Sequence, residues 1–372
     1  MTAIAPTLSP PARLGAVRQT YAGAADFPPI AQSYSQVSKV VRETGLLRRA
    51  HRFYALVGVA LALGFGGAIA GFILLGDSWF QLLIAAAFGV LFTQVAFLAH
   101  EAAHRQILAS GPANDRLGRL LAAGVVGISL SWWDNKHSRH HANPNRVGKD
   151  PDIAVDTISF LDEDAAAARG LRRAITRRQG WLFFPLLTLE GLNLHYQGLR
   201  HLLQRGPVKH RWTELGLITL RLAAMIVPVF LLLPVGMAFA FLGVQLAVFG
   251  VYMGASFAPN HKGMPVIAPD AKLDFFSKQV RTSRNITGGW WATALMGGLN
   301  YQVEHHLFPS MARPYLARAS GIVRDYCAAH GVPYTETSLA RSYAIVIAYL
   351  NRVGLAARDP FDCPAARTLR RA

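Results

Sequence analysis

The chain has 372 residues, of which 52% are hydrophobic and 16% are charged. A soluble globular protein carries about 25% charged residues, so this composition indicates a lipid-facing surface and excludes disordered, collagen-like and disulfide-rich chains. The two cysteines, Cys327 and Cys363, indicate free thiols in a reducing compartment. The formal net charge of +17 is compatible with nucleic-acid binding and also with a membrane protein rich in cytoplasmic cations.

Residues 1–50 contain no apolar segment of the kind that a secretory signal requires. Four long apolar segments follow, each close to the ~20 residues that cross a bilayer. They are Tyr54–Leu75, Trp79–Leu98, Leu215–Leu233 and Met237–Phe257. Three residues separate the first two segments, and three separate the last two. Connections this short predict two helical hairpins whose tips lie on the same side of the membrane.

Lysine and arginine are distributed unevenly between these segments. There are 7 in residues 1–53, 16 in residues 100–214 and 14 after residue 257, with Arg221 alone inside the third segment and none in the two tips. Because cations accumulate on the cytoplasmic side of membrane helices, we expect both termini and the long middle segment to be cytoplasmic. This orientation accounts for the basic charge without nucleic acid.

Two shorter apolar stretches, Leu117–Trp133 and Trp181–Leu194, lie in the middle segment. We expect them to be helices at the interface or buried against the bundle, with a six-span arrangement as the alternative. The segment Asp162–Arg178 is expected to be an exposed cytoplasmic helix near the lipid headgroups. The predicted fold is therefore an all-α integral membrane protein with four transmembrane helices, a helical cytosolic cap and interfacial helices.

Seven of the thirteen histidines occur in three groups, all expected on the cytoplasmic side. The groups are His100 and His104; His137, His140 and His141; and His305 and His306, which follow Gln302. The first pair lies at i and i+4, which places both imidazoles on one helix face. Seven imidazoles exceed the four ligands of a tetrahedral zinc, and imidazole also suits iron, so the pattern predicts a site for two metal ions. Isolated pairs of this kind also occur as polar contacts or pH-sensitive surfaces.

The first group also matches the H-E-x-x-H pattern of zinc metalloproteases, with Glu101 as general base. That interpretation leaves most of the other histidines unexplained. Glu101 is instead expected to fix the tautomer of an imidazole through a hydrogen bond.

Other polar and aromatic residues carry weaker signals. Single histidines are expected to be exposed polar residues, and His195 is not assigned. Three carboxylates near the second group are expected to be solvated, with contact to a histidine as the alternative. The tryptophan pairs are expected to anchor the chain at the interface rather than to contact substrate. These residues are His51, His201, His210, His330, Asp134, Asp150, Asp152, Trp132, Trp133, Trp290 and Trp291.

The three groups together resemble the histidine boxes of the membrane fatty acid desaturase family, over roughly residues 50–320. The third box, read from Gly298 to Pro309 with Gln302 in place of a leading histidine, resembles the front-end and linoleoyl-CoA-like branch. The run from His141 to Asp152 resembles bacterial acyl-CoA desaturases of this branch. The resemblance implies a desaturase domain at residues 51–320 between a cytoplasmic N-terminal segment, 1–50, and a cytoplasmic C-terminal tail, 321–372. It also implies the inner membrane of a bacterium.

The family implies a cytosolic cap that holds two irons and an additional ligand region after the fourth span, which Asn260 and His261 occupy here. The alternative is that these two residues only cap the helix. The implied ligands are His100, His104, His137, His140, His141, His261, His305 and His306, with Asn260, Gln302 and Glu101 as further ligands or as their hydrogen-bond partners.

The resemblance implies O2-dependent insertion of a cis double bond into an acyl-CoA or lipid-linked acyl chain, held in a narrow apolar tunnel. Residues 1–50 contain no histidine, so we expect no fused cytochrome b5 domain and a separate electron donor, such as a ferredoxin, cytochrome or flavin reductase. Related membrane hydroxylases, ketolases and acetylenases use the same ligands and remain alternatives. A metal transporter would carry ionisable residues within its spans, which are nearly free of them here.

Overall fold

The computed structural model describes residues 21–22 and 33–357, so the rest of the N-terminal segment, the end of the C-terminal tail and Cys363 lie outside the described residues. The described chain is mainly helical. Its helices are α1 (Ser33–Glu43), α2 (His51–Leu75), α3 (Gln81–Ala103), α4 (Gly111–Arg119), α5 (Leu130–Ala142), α6 (Asp162–Ala166), α7 (Gly170–Thr176), α8 (Gln179–Leu187), α9 (Glu190–Leu203), α10 (Arg211–Leu232), α11 (Val235–His261), α12 (Phe275–Thr282), α13 (Gly289–Leu295), α14 (Gln302–Leu307), α15 (Leu316–Ala329) and α16 (Leu339–Leu355).

Within residues 33–357, four helices are long and apolar enough to cross a membrane: α2, α3, α10 and α11. Their most apolar windows have a mean hydropathy between 1.9 and 2.3. This confirms the four predicted apolar segments. Two of the helices continue about one turn beyond the predicted ends, α3 to Ala103 and α11 to His261, and both extensions carry predicted histidines.

The centre of the bundle is α3, which packs along α11. Half of the apolar window of α3 is buried, whereas only 11% of that of α2 is buried. Phe88 and Phe92 of α3 and Phe241 and Phe249 of α11 belong to one buried cluster. Leucines of α2, by contrast, face outward, with Leu74 83% exposed. A helix that is apolar on all sides but exposed is a lipid-facing helix.

The predicted stretch Trp181–Leu194 is divided between α8 and α9, and Pro185 lies within α8. Both short helices pack against α11. A Cβ atom at Gly250 of α11 would lie 2.4 Å from the backbone nitrogen of Gly191 and 2.4 Å from the carbonyl oxygen of Leu187. The backbones touch at this point, so the stretch is buried against the bundle and does not supply a fifth span.

The predicted stretch Leu117–Trp133 is also divided. It contains the end of α4, a π-helical turn at Leu120–Val126 and the start of α5. Gly127 ends the π-helical turn at φ +95°, a conformation that favours glycine. Ser129 then caps α5 by accepting a hydrogen bond from the backbone N–H of Trp132. Since neither stretch forms one long helix, the six-span alternative is not supported.

One other expectation differs from the structure. The segment Asp162–Arg178 forms two short helices, α6 and α7, and Ala165 and Ala168 are buried rather than exposed. The chain is mainly helical, as predicted, and strands β1 (Asn285–Thr287) and β2 (Glu336–Ser338) add a small parallel ladder.

Helices near both ends of the described chain pack against its body. Helix α1 packs against α15 and α12. Helix α16 buries Val346 and Leu350 in one cluster with Phe183 and Leu187 of α8. The part of the predicted tail that ends at Leu355 is therefore folded onto the rest of the described chain.

Close packing at Gly250 predicts a position-dependent effect of alanine. Gly250→Ala adds a Cβ that meets two backbone atoms, so we expect it to destabilise the protein by about 1–3 kcal/mol, the usual cost of overpacking. Thermal unfolding of detergent-purified protein measures the effect.

The matched control is Gly243→Ala in the same helix, where a Cβ meets no atom within 4 Å. Alanine favours a helix over glycine by about 0.5–1 kcal/mol, so this control should be neutral or stabilising. Equal unfolding temperatures for the two variants would contradict the close backbone contact.

Candidate metal centre

The histidines predicted from the sequence come together at one end of the bundle. Helix α3 carries His100 in its last turn and is capped by His104, and α11 ends at His261. The other five lie on shorter helices: His137, His140 and His141 on α5, and His305 and His306 on α14. Four separate elements therefore supply the eight imidazoles, and the structure groups them as five and three.

The larger set contains His100, His104, His137, His141 and His305, whose nearest ring nitrogens all lie within 4.8 Å of one another. The Nε2 atom of His137 is 3.1 Å from that of His100, 2.9 Å from that of His104 and 2.9 Å from that of His141. The Nε2 atoms of His141 and His305 are 3.1 Å apart. Trp133 stacks on the ring of His137, with centroids 4.2 Å apart.

The smaller set contains His140, His261 and His306. The Nε2 atom of His261 is 3.3 Å from that of His140 and 3.1 Å from that of His306. Each ring also places its Nδ1 atom against an oxygen acceptor: Asp150 Oδ1 at 3.0 Å from His140, Thr282 O at 3.0 Å from His261, and Gln279 Oε1 at 2.9 Å from His306. These acceptors assign the proton to Nδ1, so three Nε2 lone pairs converge on one point.

Burial keeps most of these imidazoles neutral. It lowers the pKa of His104 to about 4 and holds the pKa values of His137, His141, His305 and His306 well below the ordinary value. A neutral imidazole offers the lone pair that a metal ligand requires.

Both sets fit a bound metal ion. Two nitrogens at right angles and about 2.1 Å from a metal lie about 3.0 Å apart, which matches the separations within each set. Converging lone pairs without a proton between them repel one another, and a cation removes that repulsion. The donor set is imidazole, which suits iron, zinc and copper. The structure thus shows two histidine clusters that are able to hold metal ions.

The sequence predicted solvated carboxylates after the second box, but Asp150 and Asp152 are not simply solvated. Asp150 is buried and also accepts hydrogen bonds from the backbone N–H groups of Asn145 (2.7 Å) and Asp152 (2.9 Å). Asp152 Oδ2 lies 3.4 Å from His140 Nδ1. Burial lowers the pKa of His140, but the two carboxylates outweigh burial, so the pKa lies above its ordinary value. Asp134 contacts Ser138 on the exposed side of α5, as expected for a solvated residue.

Among the described residues, the hydrogen bonds of Glu101 go to Arg313 and Tyr54, whereas a histidine partner was expected. Arg313 binds Glu101 through Nε–Oε1 at 2.8 Å and Nη2–Oε2 at 2.5 Å, and the hydroxyl of Tyr54 lies 3.2 Å from Oε1. A carboxylate held by both arms of a buried guanidinium is unsuited to act as the general base of a metalloprotease.

Gln302 and Asn260 lie beside the smaller set. The Asn260 amide donates to Gln302 Oε1 at 3.0 Å and to the carbonyl of Leu299 at 3.1 Å. Gln302 therefore turns its amide nitrogen toward His261, with Nε2 atoms 2.9 Å apart. In this orientation Gln302 is a hydrogen-bond donor to the site. The Oδ1 atom of Asn260 is buried without a hydrogen-bond partner among the described residues.

A further buried carboxylate, Glu304, supports the third box. Glu304 is fully buried, and Asn285 of β1 donates to it at 2.7 Å, as does the hydroxyl of Tyr334 at 2.8 Å. Asn285 also accepts a hydrogen bond from the backbone N–H of Val303 at 2.9 Å. Burial raises the pKa of Glu304 to about 7. This network fixes α14, which carries His305 and His306.

A narrow apolar cavity lies next to the larger set, with a volume of about 40 Å³. His100, Trp133 and Phe257 line it near the histidines. Val126 and Met253 line it deeper in the bundle. Of the predicted interfacial tryptophans, Trp290 is 83% exposed, whereas Trp133 stacks on a histidine and faces the cavity. The single histidines His51, His210 and His330 are exposed, and His201 is half-buried.

Sequence reasoning missed several contacts of the histidines. Nothing in the local sequence around Gln279 or Thr282 indicates that they meet histidines from other helices. Asp150 offered a weak signal, since it lies nine residues after His141 in a Gly-Lys-Asp-Pro-Asp run. Arg313 could not be paired with Glu101 without the fold.

Comparison with known proteins agrees with this geometry. The family model described as fatty acid desaturase matches residues 77–338. A Delta(8)-fatty-acid desaturase from Helianthus annuus is 27% identical over 89% of this chain and 75% of its own length. An acyl-lipid (9-3)-desaturase from Borago officinalis is 27% identical over 88% of this chain and 77% of its own length. A Delta 8-(E)-sphingolipid desaturase from Kluyveromyces lactis is 26% identical, covering 92% of this chain and 62% of the relative.

The match to the family model covers most of the chain, including all three histidine boxes and the last three spanning helices. Four membrane-compatible helices agree with an integral membrane protein that acts on acyl lipids. The chain therefore belongs to the fatty acid desaturase family and is an oxidoreductase of lipid metabolism.

Proposed function

We propose that this chain is an O2-dependent di-iron desaturase that introduces a cis double bond into the acyl chain of an acyl-CoA or a membrane lipid. The observation that carries the proposal is the pair of converging histidine sets beside an apolar cavity. We assign it to the front-end, linoleoyl-CoA-like branch of bacterial acyl-CoA desaturases, with the third box as support.

The eight histidines of the two sets would hold two irons, five at one and three at the other. Bound iron would supply the O2-dependent oxidation that is needed to remove hydrogen from an unactivated methylene, which no ordinary acid or base can do. Asn260 is proposed as a water-mediated ligand, because its buried Oδ1 atom has no partner in the described chain. Gln302 directs an N–H toward the smaller set.

The remaining residues of the site orient these ligands. Asp150 fixes the ring of His140, and Gln279 fixes that of His306 while its amide also donates to the carbonyl of His141 at 2.8 Å. Such partners set the tautomer and raise the basicity of a ligand. Trp133 holds the ring of His137 by stacking and covers one side of the site.

The apolar cavity would receive the methyl end of the acyl chain. It is lined by carbon-rich side chains, and His100 on its wall places the chain next to the larger set. Burial of the chain excludes water and holds one methylene pair in position. An anionic headgroup or CoA would remain among the cations at the histidine-bearing end.

The distribution of lysine and arginine supports an orientation in which the histidines and both termini are cytoplasmic, with α2–α3 and α10–α11 as hairpins and the short helices as a cap. In a bacterium this places the enzyme in the inner membrane. The electrons come from a separate protein, and a basic cytoplasmic face favours an acidic donor. The proposed desaturase domain spans residues 51–320.

Replacement of one box histidine tests the proposal. Detergent-purified wild-type protein should contain about two irons per chain, and cells that express it should contain a new unsaturated fatty acid. His305→Ala removes a ligand from the larger set, so the new product should disappear and the iron content should fall. Metal analysis and fatty-acid profiling measure both.

The matched control is His330→Ala, which changes an exposed histidine outside both sets. It should retain iron and product. A wild-type protein with one zinc and an unchanged lipid profile would refute the proposed function, and a hydroxylated product would reassign the reaction.

The contact between Asp150 and His140 predicts a graded loss of metal. Asp150→Asn keeps the shape of the side chain but removes its negative charge, so we expect metal affinity to fall by about 10–100-fold. Competition with a chelator measures this change.

Asp156→Asn, on an exposed part of the same loop, serves as the control and should bind metal normally. Unchanged affinity in Asp150→Asn would mean that Asp150 does not orient a ligand.

A further inference from the structure

Helix α10 carries a cation that the proposed chemistry does not use. Arg221 lies in the middle of this spanning helix and is only 8% exposed. Its Nη2 atom is buried without a hydrogen-bond partner among the described residues. Ionisable residues in spanning helices are expensive and usually functional. The position of Arg221 relative to the apolar cavity indicates what it does.

Arg221 contacts the wall of the cavity on the side that faces away from the cavity. Its Nε atom donates to the carbonyl oxygen of Val125 at 3.1 Å, and its guanidinium lies 4.3 Å from the ring centroid of Phe92. Val125 belongs to the π-helical turn, Leu120–Val126, and the last carbonyls of any helix lack partners within it. Arg221 thus supplies a donor to the end of the π-helical turn, whose Val126 lines the cavity.

His195 of α9 lies against the same turn from another direction. Its Nδ1 atom lies 2.7 Å from the carbonyl oxygen of Gly191 in its own helix, and the residue is buried. A Cβ atom at Gly127 would lie 3.1 Å from His195 Nε2 and 3.1 Å from Arg221 Cδ. The two side chains therefore both pack against the glycine that ends the π-helical turn. We call Arg221 and His195 the clamp.

The wall held by the clamp is the deep end of the cavity. His100 and Phe257 line the cavity near the metal centre, whereas Met253 lies one turn further from it along α11. At about 40 Å³ the cavity has room for little more than one water-sized group. An acyl chain longer than this space would enter further only if the wall moved.

We propose that the clamp of Arg221 and His195 sets the depth to which the methyl end of the acyl chain enters, and thereby the position of the new double bond. The inference rests on the proposed function. A looser wall admits more of the chain, so the carbons beside the histidines lie closer to the carboxyl end. Both residues act through the π-helical turn and are positioning residues.

The test compares the products of wild type with those of Arg221→Met, which replaces the guanidinium with an unbranched apolar side chain. Loss of one hydrogen bond at the wall should raise the share of double bonds closer to the carboxyl end by about fivefold. Arg221→Lys retains a donor and should restore the wild-type pattern. Leu220→Met, on the lipid-facing side of α10, is the matched control.

A second readout does not depend on turnover. A fatty acyl probe with a photoreactive diazirine near its methyl end is cross-linked to metal-free protein and mapped by trypsin digestion. Wild type should be labelled in the peptide Leu120–Lys136, which contains the π-helical turn. In Arg221→Met the label should move to residues behind the wall on α9 or α10.

Each outcome bears on one statement. A wild-type protein that makes no double bond refutes the proposed function. A desaturating wild type whose probe labels other peptides, or an Arg221→Met variant with iron and the wild-type bond position, refutes the clamp. If Arg221→Met does not fold, Val126→Ala shortens the wall itself and should produce the same shift, and an unchanged bond position there overturns the inference.

Discussion

The constraint on which this structure depends is the convergence of eight imidazole side chains on two neighbouring points. Neutral lone pairs that face one another inside a protein repel, and the polar groups that carry them are costly to bury. The fold meets this cost with a rigid frame. Helices α3 and α11 extend one turn beyond the apolar segments and carry His100 and His261 into contact with α5 and α14. Other helices outside the spanning segments pack against those two short helices, α9 against α5 and α12 and α15 against α14.

That frame explains why so many polar residues are buried near the site. Asp150, Gln279 and Glu304 are each at most 2% exposed. Each one accepts a hydrogen bond from an imidazole or fixes the helix that carries imidazoles. Their burial is stabilising only because every one of them has partners. The polar centre is therefore a single network, and its parts are coupled.

Much of this arrangement could be predicted from the sequence, and the limits have physical causes. Four apolar segments and the spacing of His100 and His104 are local patterns, so the spans and the histidine groups were readable. The division into five and three imidazoles, with His140 separated from its neighbour His141, depends on side-chain directions on α5. The Glu101–Arg313 pair joins residues 212 positions apart. The break at Gly127 lies against side chains of two other helices, and the break between α8 and α9 lies at a close backbone contact with α11. Hydropathy reports neither contact.

The small ladder between β1 and β2 has a consequence for how the protein is made. Asn285 of β1 holds both Glu304 and the backbone of Val303, and its own backbone N–H donates to the carbonyl of Thr335 at 2.9 Å, next to β2. A ribosome delivers the four spans and two of the histidine boxes long before it delivers residues 335–338. The third box reaches its final position only after these residues emerge. We therefore expect metal to enter a bundle that is already inserted in the membrane, as a late step of biogenesis.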